Sequence, residues 1–340
     1  MDNFNKTRIV TDIEWMSRHP DLLLVSYNKG EEANIGEQDG LVNVWATTLP
    51  TRPEYSLYCQ SEVTKIINNP FRPNEVIGGT YAGYMVVWDI RAKSTPVLKS
   101  FLTSDSHSYP IYSLEVVGTE NANTIVSISN DGRLCTWHME MFTSPQKSFE
   151  LKYHGKEVCA TCMAFAQDES NDFYVGAEDN SLYFAQVHNT VEIAKDSTGT
   201  INSLPGHCAP VTSLSLHPTP VTWNKARDYS HIMLSCSMDW SIKLWNPKVG
   251  TLPLTTFESG QDYVFDVKWS PVHPSLFASC DAEGFVDLWD INKDLENPIA
   301  HHRRDNGIVH KLAWSYDGKR LAAGGANGVV NIYSIEDKVS

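Results

Sequence analysis

A short pattern ending in an aromatic residue recurs along the chain and constrains its fold more than any other feature. The most complete copy lies within SMDWSIKLWNP, where Asp239 stands six residues before Trp245. Six further copies are DGLVNVW ending at Trp45, AGYMVVW at Trp88, DGRLCTW at Trp137, DNSLYFA at Ala185, EGFVDLW at Trp289 and NGVVNIY at Tyr333. The closing positions are 43, 49, 48, 60, 44 and 44 residues apart, which indicates seven similar structural units.

A second series of β-rich runs precedes the first at a similar spacing. Its members are VTDIEW from Val10, VTKIIN from Val63, IYSLEV from Ile111, CATCMAF from Cys159, VTSLSL from Val211, VFDVKW from Val264 and VHKLAW from Val309. Most gaps lie near the period of about 40 to 45 residues that is typical of a four-stranded propeller blade. Asp-Gly, Asn-Gly and Pro-containing segments separate the runs, as hairpins require. The sequence therefore predicts an all-β, seven-bladed β-propeller that forms a single domain over residues 1–340.

The order of strands raises the question of how the ring closes. The second series is interpreted as the inner strand of each blade, and the series ending in the aromatic residue as the third strand. The chain then starts on an inner strand and ends on a third strand, so the outer strand of the seventh blade has to come from the N-terminal side. Residues 2–8, DNFNKTR, are poor strand formers. We expect a short or frayed closing strand at residues 1–8, consistent with a native chain that begins further upstream.

The repeat resembles the WD repeat, whose blades carry a buried tetrad. In that family the tetrad joins the histidine of a Gly-His pair to a strand serine, a turn aspartate and the tryptophan. The fifth unit alone matches it in full, through His207, Ser235, Asp239 and Trp245. Elsewhere Gly-His is missing, and Ala82, Ala185 and Tyr333 depart from the signature. These departures weaken single blades more than the fold, because stability in such arrays is spread over units and their interfaces.

Composition narrows the range of partners and compartments. A formal net charge of -14 disfavours binding to nucleic acid or anionic lipid. No run approaches the roughly 18 apolar residues of a membrane span, and the start of the chain lacks the apolar segment of a secretory signal. Seven cysteines, an odd number, do not indicate a secreted disulfide framework. We expect a soluble, intracellular protein with reduced thiols, no nucleic acid partner and no membrane span.

Few residues point to catalysis. The chain has no nucleophile elbow, phosphate loop, zinc-protease helix or dinucleotide fingerprint. Gly324, Gly325 and Gly328 are interpreted as strand and turn glycines rather than as a phosphate cradle. Cys159 and Cys162, three residues apart on a strand, would point to opposite faces, so we expect core thiols and not metal ligands. The sequence predicts a protein that is not an enzyme and that carries no metal or cofactor.

What remains is a binding surface. In a propeller, the loops entering the inner strands and the turns before the third strands crowd around one end of the central channel. They would bring eight candidate partner-binding residues together there: Tyr81, Tyr109, Tyr112, Met238, Trp240, Tyr263, Phe265 and His310. Tyr, Trp and Met are enriched in binding hot spots. For each single residue the alternative is packing against a neighbouring blade, but as a group they favour a docking rim.

Longer stretches resemble one family of WD-repeat proteins, the cytoplasmic dynein intermediate chains, in their C-terminal propeller. The stretches are VTDIEW with HPDLLLVSYN, GEEANIGEQDG, PEYSLYCQSEV, GGTYAGYMVVWDIR, SHSYPIY, VVGTENANTIVSISNDGRLCTW, SMDWSIKLW and DYVFDVKWSPVHPSLFASCDAEGFVDLWDIN. The resemblance runs from about Val10 to Tyr333. It is weakest at residues 186–231, where an atypical loop, PTPVTWNKARDYSH, occurs.

The resemblance implies a non-catalytic subunit of the cytoplasmic, microtubule-associated dynein motor. It implies that the propeller docks on the tail of the dynein heavy chain, a set of helical bundles, and helps to join the motor to cargo adaptors. Dynein light chains and dynactin bind an N-terminal extension of the family that these 340 residues lack, so we expect this chain alone to be monomeric. The alternative is a WD-repeat substrate adaptor of another complex, such as a ubiquitin ligase.

Overall fold

The computed structural model of the chain is a ring of seven antiparallel β-sheets, which confirms the predicted all-β, seven-bladed propeller. It describes residues 8–29, 38–166, 170–187, 203–218, 229–258, 260, 262–304 and 307–335. Within these ranges the one helical element is a single 3-10 turn at Met139–Met141.

Six blades have four strands, and the seventh has three in the part of the chain described. Blades one to three consist of β1 (Val10–Trp15), β2 (Leu22–Tyr27), β3 (Gly40–Ala46), β4 (Tyr55–Cys59), β5 (Val63–Asn68), β6 (Glu75–Thr80), β7 (Met85–Asp89), β8 (Leu98–Lys99), β9 (Ile111–Thr119), β10 (Ala122–Ser129), β11 (Arg133–Trp137) and β12 (Lys147–Glu150). A short hairpin, β13 (Lys152–Tyr153) and β14 (Lys156–Glu157), leads into blade four. Blades four and five consist of β15 (Ala160–Phe165), β16 (Asp172–Ala177), β17 (Ser181–Gln186), β18 (Ser203–Pro205), β19 (Val211–Leu216), β20 (Met233–Ser237), β21 (Ile242–Trp245) and β22 (Thr255–Phe257). Blades six and seven consist of β23 (Val264–Trp269), β24 (Leu276–Asp281), β25 (Phe285–Asp290), β26 (Ala300–Arg303), β27 (Val309–Trp314), β28 (Arg320–Gly325) and β29 (Val330–Ser334).

The inner strands share one irregularity. In each of the seven blades, the register between the inner strand and its neighbour skips the second residue of the inner strand. Such a β-bulge twists the strand and re-aims the side chain of the extra residue. The seven skipped residues are Thr11, Thr64, Tyr112, Thr161, Thr212, Phe265 and His310.

The second strands explain why the chain shows little strict apolar alternation. All six residues of β24 are buried, and so are five of the six in β2. A blade is sandwiched between two neighbours, so both faces of its middle strands are covered and apolar residues occupy successive positions. Small residues occur in these strands where a large side chain packs closely against the backbone. A Cβ at Gly78 of β6, for example, would approach the Trp88 ring to 2.7 Å.

The ring closes by packing blade seven against blade one. Val10 and Ile13 of β1 share a buried cluster with Ala322 of β28. The Trp15 indole donates a hydrogen bond of 3.0 Å to the carbonyl of Ala313. Nearer the surface, the Arg320 guanidinium lies 3.0 Å from an Asp21 carboxylate oxygen. These contacts join the two ends of the ring directly through side chains.

The predicted closing strand lies almost entirely outside the described residues, which begin at Arg8. The guanidinium of Arg8 donates to the carbonyls of Asn28, Gln38 and Asp39, all in blade one. In blade seven the third strand carries Ile332 with 43% of its surface exposed, whereas the equivalent Leu288 of β25 is 8% exposed. The expectation of a short or frayed strand at residues 1–8 therefore stays a prediction.

Two substitutions measure how well the third strand of blade seven is covered by an outer strand. Leu288→Ala is expected to cost about 2 to 5 kcal/mol because it opens a cavity under the outer strand of blade six. Ile332→Ala is expected to cost about 1 kcal/mol or less, as at other half-exposed positions. Denaturant unfolding of both variants checks this. Equal losses would show that a well-ordered outer strand covers Ile332.

Candidate partner-binding face

The predicted tetrad of blade five forms one hydrogen-bonded chain. His207 Nδ1 lies 2.9 Å from Asp239 Oδ2, and its Nε2 lies 2.6 Å from Ser235 Oγ. The Trp245 indole donates to the same Ser235 hydroxyl at 2.8 Å. Burial would raise the pKa of Asp239, but hydrogen bonds from His207 and Ser241 outweigh burial and hold it well below its ordinary value. The network fixes the turn between β20 and β21 in a single conformation.

Blade three contains a second network of this kind. His107 Nε2 lies 2.6 Å from Ser127 Oγ, which also accepts the Trp137 indole at 2.8 Å. His107 Nδ1 lies 2.7 Å from Ser129 Oγ, and that hydroxyl bonds to the turn residue Asp131. Burial lowers the pKa of His107 to about 4, so the ring is neutral at physiological pH. The WD signature does not identify this network, because Ser replaces Gly before the histidine and a second serine bridges to the aspartate.

The turn of blade five holds Trp240 in a conformation that disfavours it. Trp240 has φ of 68°. At the same position the other turns with positive φ carry Gly83, Gly132, Asn180, Gly284 and Gly328. A left-handed conformation costs a residue with a Cβ roughly 1 to 2 kcal/mol. The Trp240 side chain is nevertheless 49% exposed, so burial in the core does not compensate for this cost. Backbone strain without a packing reason is typical of functional positions.

The bulged positions of the inner strands divide the blades into two kinds. In four blades the residue is threonine, and its hydroxyl donates to a carbonyl of the next inner strand. The donors and acceptors are Thr11 to Val63, Thr64 to Ile111, Thr161 to Val211 and Thr212 to Val264. Blades three, six and seven carry Tyr112, Phe265 and His310 instead, and the last two rings lie 4.9 Å apart. These three blades replace an interblade hydrogen bond with a ring at the channel mouth.

The eight predicted rim residues all lie at the same end of the propeller, which we call the docking face. They are not one continuous cluster. Tyr81, Tyr109 and Tyr112 belong to blades two and three, and all three are exposed. The second group lies on blades five to seven and consists of Met238, Trp240, Tyr263, Phe265 and His310. In this group Phe265 and His310 are half-buried, while the other three side chains are exposed.

Acidic side chains lie at blade four, next to the first group. Glu157 precedes the inner strand of blade four, and Glu178 and Asp179 form the turn between its second and third strands. The thiol of Cys159 lies among them: its pKa is raised by burial and further by Glu178, Asp179 and Glu157. Cys159 is exposed, so its assignment as a core thiol was wrong. The strand begins one residue later, at Ala160, and only Cys162 lies within it, half-buried.

The central channel contains charged side chains of the inner strands. A cavity of about 240 Å³ is lined by residues of blades one, two, six and seven, including Asp12, Glu14, Lys65 and Asp266. Lys65 Nζ lies 2.9 Å from Asp12. Burial raises the pKa of Glu14 to about 7, and the Tyr316 hydroxyl lies 3.4 Å from its carboxylate. In the ranges that the structure describes, no three His, Cys, Asp or Glu side chains converge as metal ligands would.

The fold and the tetrad define a WD-repeat β-propeller. A family described as "WD domain, G-beta repeat" matches residues 295–334, and one described as "PAC11 dynein intermediate chain" matches residues 151–305. The chain is also 36% identical over 343 residues to cytoplasmic dynein 1 intermediate chain of Drosophila melanogaster. That alignment covers 100% of this chain and 50% of the fly protein. The chain belongs to the dynein intermediate chain family, as its sequence resemblance indicated, and spans about half the length of this relative.

No helix among the described residues has the length and hydropathy needed to cross a bilayer.

Proposed function

We propose that this chain is a non-catalytic subunit of cytoplasmic dynein and that its propeller docks on the heavy-chain tail, helping to link the motor to cargo adaptors on microtubules. Family membership supports the assignment to the motor. The observation that carries the docking proposal is Trp240, which is half-exposed in a strained turn where other blades have glycine or asparagine. A binding role explains why a tryptophan stands there, since glycine or asparagine serves the equivalent turn in other blades.

The docking face has the composition of a protein interface. Large rings replace threonine at three of the seven bulged positions, and rings of this kind supply most of the affinity in many interfaces. Trp240 and Tyr263 come from neighbouring blades, and the Tyr263 carbonyl accepts the amide of Ala282, which fixes its loop against the turn of blade six. A rigid aromatic surface suits the edge of a helical bundle, because little conformational entropy is lost when the two associate.

The surrounding charge favours a basic partner. The chain carries a net charge of -14, and the loops of the docking face include Glu157, Glu178, Asp179 and Glu283. Complementary charge speeds encounter and selects orientation more than it adds affinity. We therefore propose that the acidic loops orient a basic surface of the heavy-chain tail, while the rings provide the binding energy.

Other contacts of the motor are proposed for the part of the family that this chain does not span. Light chains and dynactin would bind the N-terminal region of longer intermediate chains. Dimerisation would also run through that region, so residues 1–340 by themselves are expected to sediment as a monomer. A tight dimer in sedimentation would contradict this arrangement.

Co-purification with the heavy-chain tail tests the proposal directly. The tagged chain is expected to retain a purified heavy-chain tail on affinity resin at moderate salt. The matched control carries Val249→Ala and Leu252→Ala, two exposed residues in the connection between β21 and β22 at the opposite end of the ring. This control is expected to bind as the unmodified chain does. In a second arm the same resin is exposed to a cell lysate, and recovery of ubiquitin ligase components without the heavy chain would support the alternative adaptor role.

A further inference from the structure

Three tyrosines lie near one another on the side of the docking face formed by blades two and three. Tyr81 follows β6, and its amide donates to the carbonyl of Glu62 at 2.9 Å. Tyr109 lies in the loop before β9, close to the same turn: a Cβ on Gly83 would approach the Tyr109 carbonyl to 3.1 Å. Tyr112 is the bulged residue of β9. The exposed fractions of Tyr81, Tyr109 and Tyr112 are 58%, 56% and 40%, so their rings are available to a partner.

A carboxylate lies beside this tyrosine group. Glu178 stands at the start of the turn after β16, where its amide donates to the Cys159 carbonyl at 2.9 Å. Its side chain is exposed, and among the described residues no Lys, Arg or His side chain forms an ion pair with it. Tyr112 occupies the bulged position from which threonines in other blades reach the first carbonyl of the next inner strand. In blade four that first residue is Ala160, next to Cys159, so Tyr112 faces the part of blade four that carries Glu178. In agreement with this, burial raises the pKa of Tyr112 and the charge of Glu178 raises it further.

The remaining charges on this side are predominantly negative. Asp179 follows Glu178 in the turn, and its carboxylate accepts the hydroxyl of Tyr183. Arg133 of blade three is already engaged, since its guanidinium donates to the carbonyls of Ser104 and Ser106 and pairs with Glu150. In the segment between blades three and four, Lys152 pairs with Glu150 and Lys156 is exposed. The exposed carboxylates Glu178 and Glu157 on this side therefore disfavour an anionic ligand.

Aromatic faces and carboxylates attract the same kind of ligand. The face of a ring carries partial negative charge, and a Lys ammonium or Arg guanidinium within about 6 Å of its centre is attracted to it. A neighbouring carboxylate adds direct charge attraction. A purely apolar partner would gain from the rings but would desolvate Glu178 without compensation. The combination therefore fits a cation better than an apolar side chain.

We propose that Tyr81, Tyr109 and Tyr112, together with Glu178, bind a lysine or arginine side chain of the heavy-chain tail. This proposal rests on the proposed function and adds the chemistry of the contact. The docking face then has two halves. The tyrosine half binds a positively charged side chain, and the half formed by Trp240, Tyr263 and Phe265 binds apolar side chains.

The test compares affinities of a purified heavy-chain tail for the chain and four variants, measured by titration at low and high salt. Glu178→Gln is expected to weaken binding about tenfold at low salt, and the difference is expected to shrink as salt screens the charge. Glu296→Gln, an exposed acid in the connection between β25 and β26 at the opposite end of the ring, serves as the matched control and is expected to change affinity less than about twofold. Thermal unfolding verifies that each variant is folded.

Two substitutions at one position separate ring chemistry from apolar area. Tyr112→Phe keeps the aromatic face and is expected to bind within about twofold of the unmodified chain. Tyr112→Leu keeps apolar area without a ring face and is expected to lose about fivefold to tenfold.

The outcomes distinguish this inference from the docking proposal on which it rests. If the unmodified chain does not bind the tail, the docking proposal fails and this inference fails with it. If the unmodified chain binds and Glu178→Gln and Tyr112→Leu bind equally well, docking stands and the cation site is overturned. Equal losses for Tyr112→Phe and Tyr112→Leu would overturn it as well, because the hydroxyl and not the ring face would then be responsible.

Discussion

Replacing Tyr81, Trp240 and Phe265 together with alanine is expected to weaken binding to the heavy-chain tail by a factor of about 100 to 1,000. A hot-spot ring contributes about 2 kcal/mol to binding. The loss of two such rings among the three gives a factor in this range, because about 1.4 kcal/mol corresponds to a factor of ten in affinity. Tyr81 is 58% exposed and Trp240 is 49% exposed, and Phe265 is half-buried at the channel mouth. The propeller should therefore stay folded when these three side chains are truncated. Titration of the tail into each chain, with circular dichroism to monitor folding, measures both effects.

The Trp240→Gly variant separates binding from stability most sharply. Glycine adopts a φ of 68° without steric cost, so the variant is expected to lose tail affinity while its unfolding free energy stays within about 1 kcal/mol of the original or rises. If the tryptophan served the fold, its replacement would instead lower the unfolding free energy and leave tail affinity unchanged. A clearly destabilised Trp240→Gly protein with unchanged tail binding would show that Trp240 serves the propeller.

The second large effect is expected at Asp239. Asp239→Ala removes the acceptor of four hydrogen bonds, from the ring of His207, the amide of Cys208, and the amide and hydroxyl of Ser241. The imidazole of His207 would then be buried with an unsatisfied nitrogen. The expected loss of unfolding free energy is about 3 kcal/mol at neutral pH, as for other broken buried networks. The matched control, Glu283→Ala, changes the equivalent and exposed turn residue of blade six and is expected to cost less than about 0.5 kcal/mol.

The difference in stability between the original chain and Asp239→Ala is expected to depend on pH. The pKa of Asp239 lies below its ordinary value in the folded chain, so its contribution to stability is fully present above the ordinary aspartate value of about 4. It is lost as the pH falls below that value, because the unfolded chain then takes up a proton that the folded chain resists. The gap between the original chain and Asp239→Ala should therefore narrow on acidification. A gap that widened below about pH 4 would contradict the assigned charge state.

The repeat was predictable because its residues serve the same purpose in every blade. The spacing of Asp239 and Trp245 recurs with each turn and third strand, so blade number and strand order follow from the sequence. His107 shows the limit of this approach. It stands four residues before its inner strand, as His207 does, but its network includes Ser129, which the WD signature does not contain. That network depends on side-chain distances between strands, which a pattern along the chain does not encode.

The docking face was predictable in part for a similar reason. Loop position alone places Tyr81 and Trp240 at the same end of the ring. Their separation into different groups depends on which blades carry them, and the strain at Trp240 depends on its φ. The bulge that turns Tyr112 toward the channel mouth likewise appears only when two strands are paired. Sequence patterns identified the residues, whereas backbone geometry distinguishes their roles.

The uneven distribution of threonine hydrogen bonds gives the ring directional weak points under mechanical load. These bonds join blade one to two, two to three, four to five and five to six. Both interfaces of blade seven lack them, as does the interface between blades three and four. In the proposed role the propeller lies between a motor and its cargo. Tension across it is then expected to load the remaining contacts of blade seven, such as the Trp15 indole on the Ala313 carbonyl and the Leu312 amide on Asp266. Attachment points on blades one to three or on blades four to six would carry force through joined blades and spare those interfaces.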